Sequence, residues 1–230
     1  MNNERIYIND KNIADFNAKA LRDSISVGGT EITNDYFKGR NRTHYTLMAT
    51  TYGLKSVGFT LVFFAQYLRQ AKEFKSALEA EMVNGCEIHL PDGFYYRCML
   101  DKIGDDTTKG IDGVEVLIEC KYTFNGIQHD PIEEVEDGSS FYAKGTMPKM
   151  DCQLQVTVGT SASSYTLGGA TFGSVSAGDV LVVDGIYKRF LKNGAPITTT
   201  AWTSFPSVTS GLNQFTALDT VKVTYYPCYI

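Results

Sequence analysis

One tight turn in the first half of the chain constrains the fold more than any other feature. Pro91 presets φ, Asp92 closes a type I turn and Gly93 takes the left-handed position, as in a three-residue hairpin loop. Counting outward from Asp92 gives one apolar face and one face with opposite charges across the strands. The predicted pairs are Leu90–Phe94, Ile88–Tyr96 and Cys86–Cys98 on the apolar face and Glu87–Arg97 on the other. The chain must therefore contain an antiparallel sheet.

One segment has helical periodicity. Between residues 65 and 82, apolar side chains recur at steps of three or four, which places them on one stripe of a helix. They are Tyr67, Ala71, Phe74, Leu78 and Met82. The following Asn84-Gly85 predicts a left-handed stop. The apolar run 57–64 predicts a strand buried on both faces, and the alternation over 114–122 predicts a half-buried strand.

The amino-acid composition of the chain changes near residue 130. Beyond that point charged residues become sparse, Gly, Ser and Thr become frequent, and no helical period is visible. Short strand-like runs are separated by two-residue turn signals, a pattern typical of a β-sandwich. The runs are 153–158, 180–183, 186–191 and 221–226, and the turn signals are Asp184-Gly185 and Asn193-Gly194.

These patterns predict a mainly β protein of two domains. Residues 1–130 form an α+β domain, an antiparallel β-sandwich with one helix, and residues 140–230 form a second β-sandwich. Between them, 131–139 combine Pro131 and Gly138 with acidic side chains, which is typical of an exposed linker. The acidic run is interpreted as a solvated hinge, and the alternative is a docking strip for a basic partner.

Charge and hydropathy exclude several classes of protein. Lys and Arg number 21 against 26 Asp and Glu, a net charge of -5. This argues against a protein whose main task is to bind nucleic-acid phosphates. No apolar run reaches the ~18–20 residues of a membrane-spanning helix, and no secretory signal is visible at the N-terminus. We expect a protein that folds in a cytoplasm and has no membrane partner.

The residues that carry catalytic or metal chemistry are scattered. Five cysteines lack any CxxC spacing and three histidines lack an HExxH pattern, so we expect no metal site. Reduced thiols are expected, although Cys86 and Cys98 would be neighbours that oxidation could join. The sequence has no GxSxG elbow and no phosphate-binding loop, so we expect neither an enzyme nor a cofactor.

Aromatic side chains in the second domain are the candidate binding residues. Trp202 is the only tryptophan, and on a β-sandwich its ring could stack on a sugar, with Tyr165 and Tyr187 as further candidates for stacking. The competing interpretation is that Trp202 fills the core between the sheets.

The order of features along the whole chain resembles one family. A strand-rich start leads to a strand-to-helix unit, then to a hairpin with aromatic residues after its turn, and finally to a Ser/Thr-rich sandwich. The segments are Arg5–Ile8, Phe59–Met82, Gly93–Tyr96, Gly178–Asp184, Lys192–Gly194, Phe205-Pro206, Gly211–Asn213 and the terminal run ending at Pro227. This pattern resembles the distal tail proteins of long, non-contractile-tailed phages that infect Gram-positive bacteria.

The resemblance implies a structural role in the virion. It implies a homohexameric ring at the tail tip, formed by the N-terminal domains, that joins the major tail (tube) protein to the tail-associated hub protein and lets DNA pass. It also implies a galectin-like C-terminal domain, a receptor-binding protein as a further candidate partner, and assembly in the host cytoplasm. Two alternatives stay open: a carbohydrate-binding module or adhesin, and an enzyme with an unrecognised site.

Overall fold

The computed structural model describes residues 5–40, 43–111 and 115–230. The chain divides into two compact units, of which the first runs to Gln128 and the second runs from His129 to Tyr229. Each unit has its own hydrophobic core.

The first unit is a large antiparallel sheet with one α-helix. Its elements are β1 (Tyr7–Ile8), β2 (Lys11–Asn12), a 3₁₀ helix (Ile13–Phe16), β3 (Ala18–Ala20), β4 (Ser26–Phe37), β5 (Thr46–Ala65), α1 (Leu68–Met82), β6 (Cys86–His89), β7 (Tyr95–Ile103), β8 (Thr107–Ile111) and β9 (Glu115–His129). The strand order is β2-β1-β6-β7-β9-β5-β3, with β4 added along β5 and β8 along β9.

The predicted hairpin around Asp92 is confirmed. Strands β6 and β7 pair Cys86 with Cys98, Glu87 with Arg97 and Ile88 with Tyr96. Gly93 has φ +90°, the left-handed conformation that glycine adopts without a steric cost. The Asp92 carboxylate accepts a hydrogen bond from the Phe94 N–H at 2.9 Å, which closes the turn.

The predicted helix is confirmed, except at its first turn. Ala71, Leu78 and Met82 are buried as predicted, and Gly85 has φ +87° at the predicted stop. Tyr67 was predicted to lie on the buried stripe, and this is wrong, since its side chain is 64% exposed. Strand β5 continues through Ala65, so Tyr67 is the extended residue that precedes the helix.

The predicted strand over 57–64 is part of β5. Alternate residues Val57, Phe59, Leu61 and Phe63 are fully buried in the core that includes α1. Residues 60, 62 and 64 are half-buried, so the expectation of burial on both faces is wrong for the second face. The predicted strand over 114–122 is the start of β9, although Val114 lies outside the described residues.

The second unit is made of short antiparallel strands. They are β10 (Glu133–Val135), β11 (Phe141–Ala143), β12 (Met150–Thr157), β13 (Tyr165–Leu167), β14 (Ala170–Phe172), β15 (Val180–Asp184), β16 (Arg189–Lys192), β17 (Ala195–Pro196), β18 (Ala201–Trp202), β19 (Ser207–Val208), β20 (Gly211–Asn213), β21 (Val221–Tyr225) and β22 (Cys228–Tyr229). The main sheet has the order β10-β21-β12-β15-β16-β17, and smaller sheets join β11 to β20 and β13 to β14 and β18. The predicted mainly β fold is confirmed.

One of the two predicted turns differs in length. Asp184 pairs with Arg189, so four residues connect β15 to β16 instead of two. The Asp184 carboxylate accepts hydrogen bonds from the N–H groups of Ile186 and Tyr187, both at 3.0 Å, and these bonds build the longer turn. The two-residue turn at Asn193-Gly194 is confirmed, with φ of 52° and 78°.

The segment predicted as a linker contains a strand. Residues 133–135 form β10, which pairs antiparallel with β21. Lys222 on β21 forms ion pairs with Glu134 at 2.8 Å and Glu136 at 3.1 Å. These ion pairs reduce the repulsion among the acidic side chains, and the segment lies on the sheet edge where a solvated hinge was predicted.

The close approach of β7 and β9 at Gly126 gives a stability prediction. A Cβ atom at this position would clash with the Cys98 Sγ and lie 2.7 Å from the Arg97 carbonyl oxygen. Gly126→Ala should therefore lower the free energy of unfolding by about 1–3 kcal/mol, measured by denaturant titration. Gly29→Ala, where nothing lies within 4 Å, is the control. An equal loss in both variants would contradict this explanation.

Candidate functional site

The three histidines do not converge on one place. His44 lies between β4 and β5, His89 lies on β6 between the rings of Tyr7 and Tyr95, and His129 is the first residue of the second unit. Over residues 5–40, 43–111 and 115–230, no group of three or more His, Cys, Asp or Glu side chains could hold a metal ion. In the same ranges, no helix has the length and apolar character needed to cross a membrane.

A cluster of polar side chains under α1 has a structural role. The Lys75 ammonium contacts Glu79 at 2.6 Å and Asp106 at 3.2 Å, and the Tyr122 hydroxyl donates to Glu79 at 3.1 Å. Burial lowers the pKa of Lys75, but its hydrogen bonds to the two carboxylates outweigh this effect and raise the pKa. Lys75 is therefore protonated and is no nucleophile. The cluster attaches the helix to the sheet.

A two-stranded ribbon extends from the first unit. Among the described residues, strand β5 pairs with β9 from Lys55 onward, whereas residues 46–54 pair with β4 alone. We call residues 32–40 and 43–52 the arm. Register shifts occur in its ladder near Thr30 and between Asp35 and Tyr36. Such bulges hinder edge-to-edge pairing of the free β4 strand with other chains.

The arm carries apolar side chains that remain exposed in the part of the chain that the structure describes. Six of them are exposed: Ile32, Tyr36, Phe37, Tyr45, Leu47 and Met48. Tyr36, Phe37 and Tyr45 are 63%, 63% and 68% exposed, and the Tyr36 and Tyr45 rings lie 5.6 Å apart. Lys38 and Arg40 follow at the tip, both exposed. Exposed aromatic and aliphatic residues concentrated on one ribbon are typical of a protein contact surface.

A groove lies beside the base of the arm. Two clefts of about 480 and 580 Å³ share the lining residues Leu54, Met99 and Asn125. Ile127 adds to the apolar lining, and Glu31, Asp101 and Glu87 supply carboxylates. Arg97 also lines the groove, where it lies directly across the strands from Glu87. We call the two clefts together the groove.

The sequence did not predict either surface. The described residues of the arm are exposed or half-buried on both faces, so its sequence shows no alternation of apolar and polar types. The groove draws residues from β5, β7 and β9, which are far apart in sequence. The only local signal was the density of aromatic residues around Lys38 and Arg40.

The Trp202 side chain is half-exposed. It stands on β18 opposite the buried Ala170, and it is 50% exposed. Its ring packs against Phe205 at 5.1 Å and Phe190 at 6.1 Å between centroids. The interpretation that Trp202 fills the core is therefore wrong, since the ring covers two core-flanking rings and keeps part of its own surface free.

The other two candidate stacking residues have opposite environments. Tyr165 is 2% exposed, and its hydroxyl donates to the Asp219 carboxylate at 3.0 Å. A buried ring offers no face to a ligand, so Tyr165 is excluded from any glycan-stacking surface. Tyr187 is 63% exposed, with the Arg189 guanidinium 5.0 Å from the centre of its ring.

The five cysteines are free thiols. Cys86 and Cys98 lie directly opposite each other on β6 and β7. Burial raises the pKa of Cys86 to about 11 and the pKa values of Cys98 and Cys152 to about 12. Burial also raises the pKa of Cys120. These thiols are protonated near neutral pH and are poor nucleophiles.

This difference in burial predicts the order of thiol labelling. At pH 8 in the native protein, the half-buried Cys228 should react first with a thiol-specific alkylating reagent, because the other four are buried and protonated. Mass spectrometry of digested samples would identify the labelled residues, with the unfolded chain as the control in which all five react. Rapid native labelling of Cys86 or Cys98 would contradict the prediction.

Solved structures of phage adsorption and baseplate proteins share this architecture. The chain superimposes on SPP1 Dit (gp 19.1) with a TM-score of 0.68 at 11% identity, covering 98% of both chains. That protein is described as a paradigm of the hub adsorption apparatus in phages that infect Gram-positive bacteria. A chain of the phage P2 baseplate in its activated conformation with Ca aligns with a TM-score of 0.53 at 9% identity, over 94% of this chain and 92% of that one.

The likeness establishes the fold, which is that of a phage distal tail protein and, in particular, of SPP1 Dit. No protein-family model and no curated protein sequence matches the chain. At 11% identity the side chains at contact surfaces are this chain's own, so its partners must be argued from those side chains.

Proposed function

We propose that the chain is a structural protein of the phage tail tip, a distal tail protein that assembles into a ring of six copies. The observation that carries the proposal is the likeness to SPP1 Dit over 98% of both chains, which includes both units. The arm gives independent support, because its exposed aromatic and aliphatic side chains require a protein partner to be covered.

In this proposal the two domains have different tasks. Residues 1–130 form the ring, and residues 140–230, a galectin-like sandwich, project outward. The ring joins the major tail tube protein to the tail-associated hub protein, and a receptor-binding protein is a further partner of the outer domain. The virion tail tip is its location, after assembly in the host cytoplasm. Its work is structural, without catalysis.

The charge of the chain suits such a ring. A net charge of -5 per copy gives six copies a strongly acidic character, which disfavours adhesion to passing DNA. Each copy in a closed ring contacts its two neighbours through two different patches. The arm supplies one patch of the required kind.

The ring gives a direct mass prediction. Six copies of the 25.4 kDa chain weigh about 152 kDa, which multi-angle light scattering would measure on the purified protein, alone and with the tail tube protein. The double substitution Tyr36→Ser with Phe37→Ser should shift the equilibrium at least tenfold toward smaller species, because it removes two exposed anchor rings.

Leu218→Ser is the matched control, since Leu218 is an exposed apolar residue of the second unit. It should leave the mass unchanged. A strictly monomeric protein at high concentration, even with the tube protein present, would refute the ring.

A second candidate function is glycan binding by the second unit. The half-exposed Trp202 favours it, because an aromatic face fixed by Phe190 and Phe205 is the platform that a sugar ring stacks on. In this alternative the chain is a carbohydrate-binding module or adhesin, with Tyr187 as an additional exposed ring.

Substitution of Trp202 tests this alternative. On an array of Gram-positive cell-wall glycans, Trp202→Ala should abolish binding while circular dichroism and the unfolding midpoint stay near those of the unchanged protein. Tyr165→Phe is the control, because Tyr165 is buried and its substitution should not alter binding. Equal binding by the unchanged protein and Trp202→Ala would rule out a Trp202-centred site.

A further inference from the structure

The arm and the groove are complementary surfaces of one chain. The arm presents exposed aromatic and aliphatic side chains followed by the cations Lys38 and Arg40. The groove presents Leu54 and Met99 beside the carboxylates of Glu31 and Asp101. Apolar surface meets apolar surface and positive charge meets negative charge when the two are brought together.

The tip of the arm cannot reach the groove of its own chain. Leu54 lines the groove, and Leu47 lies seven residues further along the same strand, roughly 23 Å away at ~3.3 Å per residue. The ladder between β4 and β5 is hydrogen-bonded along this whole stretch, from Thr30 opposite Lys55 to Phe37 opposite Thr46. Folding the tip back would break that ladder.

We propose that the groove of each copy receives the arm of a neighbouring copy, an inference that rests on the proposed ring. Such a contact joins two different patches, as closure of a ring requires. The aromatic rings at Tyr36, Phe37 and Tyr45 lie against Met99 and Leu54 of the neighbour, and the tip cations face its Asp101 and Glu31.

The exposed area sets how much of the interface this contact supplies. Aromatic side chains bury roughly 150–250 Å² each when covered. At 63–68% exposure, the three rings offer on the order of 300–500 Å². A stable interface of ordinary size takes ~800 Å² from each partner. The rings therefore supply about half of one partner's share, and the aliphatic residues of the arm supply the next part.

A second copy is a better occupant than a nucleic acid. Lys38 and Arg40 alone would suit a phosphate backbone, but Ile32, Leu47 and Met48 have no apolar surface to bury against on a nucleic acid. The groove of this chain offers both the apolar lining and the carboxylates that these residues need.

Photocrosslinking of the full chain tests the proposal. p-Benzoylphenylalanine is incorporated in place of Phe37, the protein is irradiated at assembling concentration, and tryptic peptides are sequenced by mass spectrometry. The expected product joins position 37 to the peptide 98–102 of another copy, which contains Met99 and Asp101. The yield in the variants is measured as crosslinked dimer on a denaturing gel, because Met99→Arg and Asp101→Lys add tryptic sites within 98–102. Met99→Arg should lower this yield about tenfold.

Two further variants control for folding and for chance contact. Leu218→Arg places the same charge on an exposed apolar site outside the groove and should leave the yield unchanged. Lys38→Asp should lower the yield, and Lys38→Asp combined with Asp101→Lys should restore it, a rescue that misfolding could not produce.

The outcomes separate the inference from the ring itself. One outcome is a particle of about 152 kDa in which position 37 crosslinks to another peptide, to its own chain or only to an added tail protein. That outcome would overturn the docking of the arm into the groove and leave the ring intact. A monomer that forms no crosslink at any concentration would overturn both.

Discussion

The hydrogen-bond ladder along β5 is the constraint on which the rest of the first unit depends. This strand spans twenty residues, and its two halves have opposite surroundings. Residues 57–63 lie in the core beside β9, whereas residues 46–54 have β4 as their one partner strand within the described ranges. A two-stranded ribbon is marginal by itself in water. The buried half therefore holds the exposed half in one direction, and the arm needs no core of its own.

The sequence predicted correctly those parts of the fold in which the turn residues and the side chains on both faces required the same strand register. The hairpin around Asp92 was predicted to the residue because turn geometry, apolar pairing and the Glu87–Arg97 charge pair all required one register. The β15–β16 turn was misjudged, since the Asp184 carboxylate binds backbone N–H groups and lengthens the loop. The arm was not predicted because neither of its faces is buried in the described residues, so no alternation of apolar and polar types marks its strands.

The same reasoning explains the mixed result for the aromatic candidates. A three-residue strand such as β13 has too few positions to show which face is inside, so Tyr165 could not be distinguished from a surface residue. Its burial and its bond to Asp219 follow from packing across the sandwich. Trp202 took an intermediate position that neither interpretation anticipated, because a large ring at a sheet edge can pack on one side and face water on the other.

The pleat of the arm limits which insertions its two strands can accept without exchanging their faces. Side chains alternate between the two faces of a ribbon, so adding one residue to each strand would exchange the face that carries Tyr36 and Leu47 with the face that carries Phe37. Only insertions of two residues per strand, ~7 Å of added reach, would preserve the face. Relatives with arms of different length should therefore differ by even numbers of residues per strand, so that the reach of the arm changes in discrete steps.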